Sequence, residues 1–454
     1  MDDARSGRDR RPVFDEAFTT VLAGIRDGSL RDDTDYDVLA LCDRFAVHPA
    51  VLEGALQRLA DIGLARVLPG DVVRFPPLDP VAWAEGTWLL VGVVEVAMRA
   101  LVPVAADDDV ERYAALVAAT RRAAADRGDE LDTTVLATLD FWAGTSPDSF
   151  TARLLVRSMQ QTRYGLATRP PWRNPDVEAW LASSSQALRL RDVRSAERAA
   201  HVLARLWSRY LAESARELGR EPDSLARPAG GASETLYWAD WRADDDWFEL
   251  LGSVRDGSLE PGRSYAFRDL TARFRVPLQR LLPMIRRLEV MGLVAAGPDR
   301  DDSILVTTPT VDDWAQTVGL LLGLHEMCAR TCIADLTDAD VAELDALVAR
   351  TRREARVRDF AYTGTLLEIA RFFALRSPNR AMRQTTSVVI SRLAYILPEP
   401  PPVRQWAVED YLQLLDQAVH SRDADTVSEA FHALATHFDA HVVDVRARYG
   451  TMES

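Results

Sequence analysis

A mainly α protein is predicted, with two winged helix-turn-helix domains, each followed by an all-α helical bundle, arranged as an internal pseudo-dimer. Three observations carry that expectation. The chain repeats itself once, both halves open on the same order of short apolar-periodic segments, and the rest of each half reads as long amphipathic stretches without strand signals. At 454 residues the chain is too long for one ordinary core and suggests two to four domains.

The repeat starts where IRDGSL at 25–30 meets VRDGSL at 254–259, an offset of 229. Without a gap, Tyr36 then meets Tyr265, Leu41 meets Leu270, and RFAV at 44–47 meets RFRV at 273–276. Gly63-Leu64 meets Gly292-Leu293, and beyond a short variable stretch the offset becomes 231, as Trp83-Ala84 meets Trp314-Ala315. Glu95 and Arg99 meet Glu326 and Arg330, SPD at 146–148 meets SPN at 377–379, and Asp192 and His201 meet Asp423 and His432. Tandem duplication of a unit about half the chain long accounts for this register.

In each unit, residues 14–27 and 247–256 suit a first helix, 37–45 and 266–274 a second, and 48–62 and 278–291 a third. A Gly-Leu stop follows. Then LARVLPGDVVRF at 64–75 and LVAAGPDRDDSILVT at 293–307 each read as two short strands around a turn. Three helices closed by a hairpin describe a winged helix-turn-helix. The expected divisions are a first winged helix at 12–78, a helical domain at 79–218, a linker at 219–245, a second winged helix at 246–309 and a second helical domain at 310–450. The linker carries the Pro/Gly/Ser-bearing run REPDSLARPAGGASET, 220–235.

Composition limits the function classes. Hydrophobic residues make up 47% and charged residues 27%, which fits globular folding. No apolar run is expected to reach the roughly 20 residues that cross a membrane, and the charged N-terminus MDDARSGRDRRPVFDE lacks the apolar core of a signal peptide. A soluble cytoplasmic protein without membrane partners is expected. Three cysteines, Cys42, Cys328 and Cys332, are no disulfide framework. All 54 basic residues are arginine and the net charge is −15, so a nucleic-acid partner would need a local basic patch. Nothing supports catalysis: GxxxxGK[ST], GxSxG, HExxH and glycine-rich phosphate loops are all missing from the sequence.

The turn G-S-L after the first helix, the F-x-V…L-x-x-L…G-L run, LTDADVAELDALVARTR at 336–352, SPN at 377–379 and LDQAVHSRDADTVSEAFHALATHF at 415–438 resemble a known family. Over nearly its whole length the chain is similar to two fused copies of a GntR-type transcription regulator of the FCD subclass. That resemblance implies a DNA-binding winged helix joined to an all-α effector domain that usually binds a metal and a small carboxylate.

The departures are as informative. Family recognition helices read close to S-R-T-P-V-R-E-A-L. The first unit has Pro49 and Glu53 at the two arginine positions, and residues 11–75 hold seven Arg against eleven Asp/Glu. A carboxylate facing phosphate is repulsive, so this copy reads as a retained structural one. The second unit has Leu278 and Leu282 there, yet residues 263–287 hold seven arginines and one acid, Asp269. The expected DNA-facing set is Arg263, Arg268, Arg273, Arg275, Gln279, Arg280 and Arg287, with Arg286 also in the basic run. Arg280 and Arg287 are seven apart and share a face; Arg and Gln can read guanine and adenine edges. Pro283 is expected to shorten or bend this helix.

The family's metal positions, carried over by the SPD/SPN and R-D anchors, fall on Val135, Leu139, Leu181 and Leu203, and on Leu366, Ala370, Leu412 and Leu434. Hydrocarbon offers no lone pair, so no metal or other cofactor is expected, and these positions form either a filled core or a pocket for an apolar effector. His325, Cys328 and Cys332 lie on one helix face, but three ligands from one straight helix cannot readily surround a tetrahedral ion. Their equivalents Val94, Ala97 and Leu101 make a core stripe. Glu95/Arg99 and Glu326/Arg330 read as i, i+4 ion pairs or interface contacts.

The resulting expectation is a regulator that binds operator DNA through its second winged helix, as an internal pseudo-dimer or as a homodimer of chains. The alternative is a degenerate regulator acting as a ligand-sensing or protein-interaction module without specific DNA binding.

Overall fold

The computed structural model describes residues 6–68, 71–126, 130–146, 149–166, 168–174, 176–226, 245–297, 303–396, 403 and 405–449. Most of the expected linker (227–244), both wing turns (69–70 and 298–302) and residues 147–148 of the SPD turn lie outside the described residues. The chain divides into two units. One holds residues 1–94, 101–146 and 152–228; the other holds 95–100, 147–151 and 229–454.

The first unit opens with α1 (Ser6–Arg26), β1 (Asp35–Asp37), α2 (Val38–Phe45), α3 (Pro49–Asp61), β2 (Arg66–Leu68) and β3 (Val72–Arg74). Phe18, Leu22, Leu30, Leu41, Leu52, Leu56, Leu59 and Val73 form its buried core. Asp37 caps α2 by accepting from the Ala40 amide at 2.8 Å, and Pro49 starts α3, where a missing amide proton costs nothing. The sequence predicts two strands, but the sheet has three, ordered β1-β3-β2 and antiparallel, with Tyr36 opposite Val73. Arg74 holds β1 through two hydrogen bonds to Asp35, at 2.6 and 2.9 Å.

The same order recurs in the second unit as α11 (Asp245–Arg255), β4 (Ser264–Ala266), α12 (Phe267–Phe274), α13 (Leu278–Val290), β5 (Val294–Ala296) and β6 (Ser303–Val306). Its sheet is ordered β4-β6-β5, and Tyr265 faces Ile304. Pro283 does not shorten α13, which runs on to Val290. Burial of Leu281, Met284, Ile285 and Leu288 outweighs the roughly 3 kcal/mol cost of an internal proline.

The local devices repeat with the sequence. Asp27 and Asp256 each accept from the amide two residues on, Ser29 and Ser258, at 2.8 Å. Between them Gly28 and Gly257 take φ of +75° and +76°, open to glycine at no steric cost. Tyr36 and Tyr265 hydroxyls accept from the amides of Arg31 (2.7 Å) and Glu260 (2.8 Å). Ala46 and Arg275 end α2 and α12 in the left-handed region, at φ of 52° and 55°.

The helical parts follow. The chain continues with α4 (Pro80–Leu101), α5 (Asp107–Asp126), α6 (Glu130–Thr145), α7 (Ser149–Tyr164), α8 (Glu178–Leu190), α9 (Val193–Glu217) and the short α10 (Asp223–Ala226). In the second unit α14 (Val311–Cys332), α15 (Asp338–Val357), α16 (Ala361–Arg376), α17 (Arg380–Tyr395), α18 (Glu409–Ser421) and α19 (Ala424–Tyr449) succeed the sheet. Asp192 and Asp423 start α9 and α19 by accepting from the amides of Ser195 (2.9 Å) and Thr426 (3.0 Å). Capping boxes at Thr310/Asp313 and Thr337/Asp340 start α14 and α15.

One expectation is corrected. The segment Pro80–Val104 is long and apolar enough to cross a membrane by length and composition, with mean hydropathy 1.7. Its most apolar window is 72% buried in the protein, and Glu95 and Arg99 interrupt it, as suits the core helix of a helical bundle. Within the second unit the Arg99 guanidinium lies 4.0 Å from Glu95, one helical turn back, and 3.5 Å from Glu326; both carboxylates are nearly fully buried.

The core assignments make a stability prediction. Leu270→Ala, at a fully buried position, is expected to cost about 2–5 kcal/mol. Leu278→Ala, on an exposed one, should change stability by no more than about 0.5 kcal/mol. Urea denaturation followed by circular dichroism measures both.

Candidate nucleic-acid interface and helical-domain interior

The basic run separates into two groups. Arg263, Arg268, Arg273 and Arg275 are exposed, from the turn before β4 to the turn after α12. Arg263 pairs with Glu260 at 3.1 Å and Arg268 lies 3.5 Å from Asp269; both pairs are solvent-facing and contribute little. Arg273 stacks beside its neighbour Phe274, 5.5 Å from the ring centre, as Arg44 does over Phe45. The side chains of Gln279 and Arg286 lie outside the described residues.

Arg280 and Arg287 share a face as their spacing predicts, but that face turns toward α11. Arg280 pairs with Asp246 at 2.9 Å, and Arg287 lies over the buried Trp247 ring at 5.6 Å. The first unit builds the same clamp, with Arg58 over Phe18 at 4.3 Å. Phe18 and Trp247 share the offset of 229, as do Arg58 and Arg287. A cation over an aromatic face contributes about 0.5–2 kcal/mol, which gives Arg287 a packing role that helical periodicity alone could not reveal. At the positions of Arg263, Arg268, Arg275 and Arg280 the first unit has Thr34, Leu39, Ala46 and Val51. Glu53 is exposed there.

All eight positions inferred from the family's metal site are buried. Val135, Leu139, Leu181 and Leu203 are at most 1% exposed, and Leu366, Ala370, Leu412 and Leu434 at most 6%. They sit on α6, α8 and α9 and on α16, α18 and α19, packed as core. The donor chemistry of a resident ion does not fit these side chains.

Around the second set lies a polar group of which the sequence singled out His325 but not Tyr362, Tyr411 or His437. Tyr362, one turn before Leu366, shares a hydrogen bond of 2.9 Å with His437 Nε2. His325 on α14 packs edge-on against Phe431, ring centres 4.4 Å apart, and Tyr411 meets the same ring at 6.0 Å. His325 Nε2 and the Tyr411 hydroxyl are buried and have no hydrogen-bond partner among the described residues. Unpaired buried polar atoms are uncommon and costly. The first unit has Val94 and Trp180 at these two positions. Cys328 and Cys332 line the same helix as His325, and burial pushes both thiols up, Cys328 to about 11, so both stand as neutral thiols at neutral pH. Cys42 is buried in the first unit's core, and His201 and His432 are partly buried. A surface cleft of about 550 Å³ lies apart from these interiors, between α5 and α6, lined by Arg112, Leu116, Asp140, Phe141 and Gly144 among others.

Residues 320–439 match the family model of the FCD domain. That segment runs from within α14 to within α19. Among solved structures, E. coli McbR/YncC is similar at 16% identity with a TM-score of 0.34, over 45% of this chain and 96% of that chain. A likeness of that size carries no argument. No curated protein matches the chain.

Two predictions follow from the interior. Burial holds His325 down to about 3, and burial, aided by His441, holds His437 down to about 4. Both rings are released to about 6.5 on unfolding, so the unfolded chain binds more protons and stability falls as pH drops below about 6.5. His325→Phe should remove up to about 1.4 kcal/mol per pH unit of that slope, read by urea denaturation at pH 7 and pH 5. An unchanged slope would show that the native imidazole is not held neutral. Elemental analysis should find no ion retained in either interior after dialysis, and chelator should leave the melting temperature of that protein unchanged.

Proposed function

We propose that the protein is a DNA-binding transcription regulator of GntR/FCD type, built from a duplicated unit whose metal site has been replaced by hydrocarbon. The observation that carries this reading is the FCD match at 320–439 directly after a helical and three-stranded element that presents four exposed arginines. On this reading 12–78 and 246–309 are winged helices, 79–218 and 310–450 are effector domains, and 219–245 joins them. The fused pair stands in for a dimer as an internal pseudo-dimer, and the protein works in the cytoplasm without a membrane partner. It is a regulator and not an enzyme.

DNA contact is assigned to the second winged helix. Arg263, Arg268, Arg273 and Arg275 form its phosphate- and base-facing set, with Gln279 and Arg280 on the adjoining helix. Arg287 serves mainly as the clamp on Trp247. The interiors around Leu139, Leu181 and Leu203, and around Leu366, Leu412 and Leu434, accept at most an apolar small-molecule effector. A single basic winged helix per chain supplies one half-site, so a palindromic operator engages two chains.

The second reading, an interaction or ligand-sensing module without specific DNA binding, is favoured by the engagement of Arg280 and Arg287 with α11. Titration of the full chain with DNA from upstream of its own gene, across a range of salt, separates the two. Arg268→Ala and Arg280→Ala should each weaken binding, by about 1–3 kcal/mol for a base contact or with a salt slope lower by about one for a phosphate contact. Arg44→Ala and Arg58→Ala should matter much less. Equal losses from both units would show that the acidic copy binds as well, and no binding by the wild type would favour the module.

A further inference from the structure

We propose that Asp345, Asp416 and His420 form a binding site for a divalent transition-metal ion of the Zn²⁺ class, on the outer face where α15 meets α18. This site is separate from the interior positions and does not rest on the DNA-binding reading.

Asp416 and His420 are one turn apart on α18, so their side chains share a face. Asp345 approaches them from α15. One donor atom from each of the three residues lies within 4.8 Å of the other two. The side chains are 43–56% exposed, so an ion can enter and keep water in its remaining coordination positions.

The imidazole is arranged for a ligand role. His420 Nδ1 lies 2.9 Å from the backbone carbonyl oxygen of Asp416. In the neutral ring Nδ1–H donates to that carbonyl, which leaves the lone pair on Nε2; ligating histidines are oriented by this kind of second hydrogen bond. Nε2 faces Asp345 Oδ2 at 3.7 Å, too long for a hydrogen bond. Two ligands of a tetrahedral ion with bonds of about 2.0–2.1 Å stand roughly 3.3–3.4 Å apart, so a small side-chain rotation seats a metal between them. Asp416 Oδ1, 3.5 Å from the ring's Nδ1, reaches the ion by turning its carboxylate.

One imidazole and two carboxylates suit Zn²⁺, Co²⁺ or Ni²⁺ rather than a thiolate-seeking ion. Three ligands on an open surface give a labile site that empties on dialysis, so it is compatible with a protein purified free of metal. The offset of 231 supplies an internal control. The first unit has Ala114, Ser185 and Arg189 at these positions, and an arginine cannot ligate a cation. The triad is therefore not repeated in the first unit, and it bridges two helices of the FCD-matching segment.

Chelator-treated, dialysed full-length protein is titrated with ZnCl₂ by calorimetry and with CoCl₂ by visible absorption. One ion per chain is expected, with micromolar affinity and a rise in melting temperature on adding Zn²⁺. His420→Ala, Asp345→Asn and Asp416→Asn should each weaken binding at least about tenfold and abolish the melting shift, while Arg189→Ala changes neither. The ligands are surface residues, and unchanged circular dichroism and metal-free melting of each variant show that folding is intact. No binding heat with the wild type would overturn the proposal. So would binding that survives His420→Ala and Asp345→Asn undiminished, because the ion would then sit elsewhere.

Discussion

Hydrocarbon packing at the centre of each helical domain is the constraint on which the rest of the structure depends. Where the family resemblance places ion ligands, Leu139, Leu181 and Leu203 in one domain and Leu412 and Leu434 in the other are buried. A bound ion would tie three helices together through a few strong bonds. Here the same helices are held by dispersion and solvent exclusion spread over many contacts. At these positions such an interior offers shape and apolar contact rather than ion ligands.

The two units share local devices at fixed offsets and differ in their surfaces. Aspartate-capped helix starts, left-handed turns at Ala46 and Arg275, and the arginine clamps on Phe18 and Trp247 recur at fixed offsets. These devices fix backbone geometry, so losing one costs stability in either copy. Surface positions carry no such penalty. Leu39 and Arg268 occupy the same exposed place at the start of α2 and α12, and one is suited to phosphate while the other is not. The interiors differ too, since His325 and Tyr411 stand where the first unit has Val94 and Trp180.

Much of this was legible in the sequence because local rules set it. The second and third helices of each unit begin and end within about two residues of the periodic segments, since Ala46 and Arg275 end the second helices, Gly63 and Gly292 follow the third, and buried leucines pace them. The short strands β1 and β4 escaped notice because three residues are too few to show alternation. They exist because Tyr36 and Tyr265 pair across to Val73 and Ile304. The role of Arg287 was hidden because periodicity gives a helix face but not what packs on it. Its signal was available in the paired aromatics Phe18 and Trp247. The triad Asp345, Asp416 and His420 joins separate helices, and only the Asp416–His420 spacing could have been read from the chain.

The central proposal is that the second unit alone faces DNA, and site-directed photo-crosslinking tests it most directly. A photoreactive side chain is placed at position 268 in one variant and at the equivalent position 39 in another, and each full-length protein is irradiated on DNA from upstream of its gene. Crosslinks from position 268 and none from position 39 are predicted. Crosslinks of equal yield from both positions, or from position 39 alone, would contradict the account.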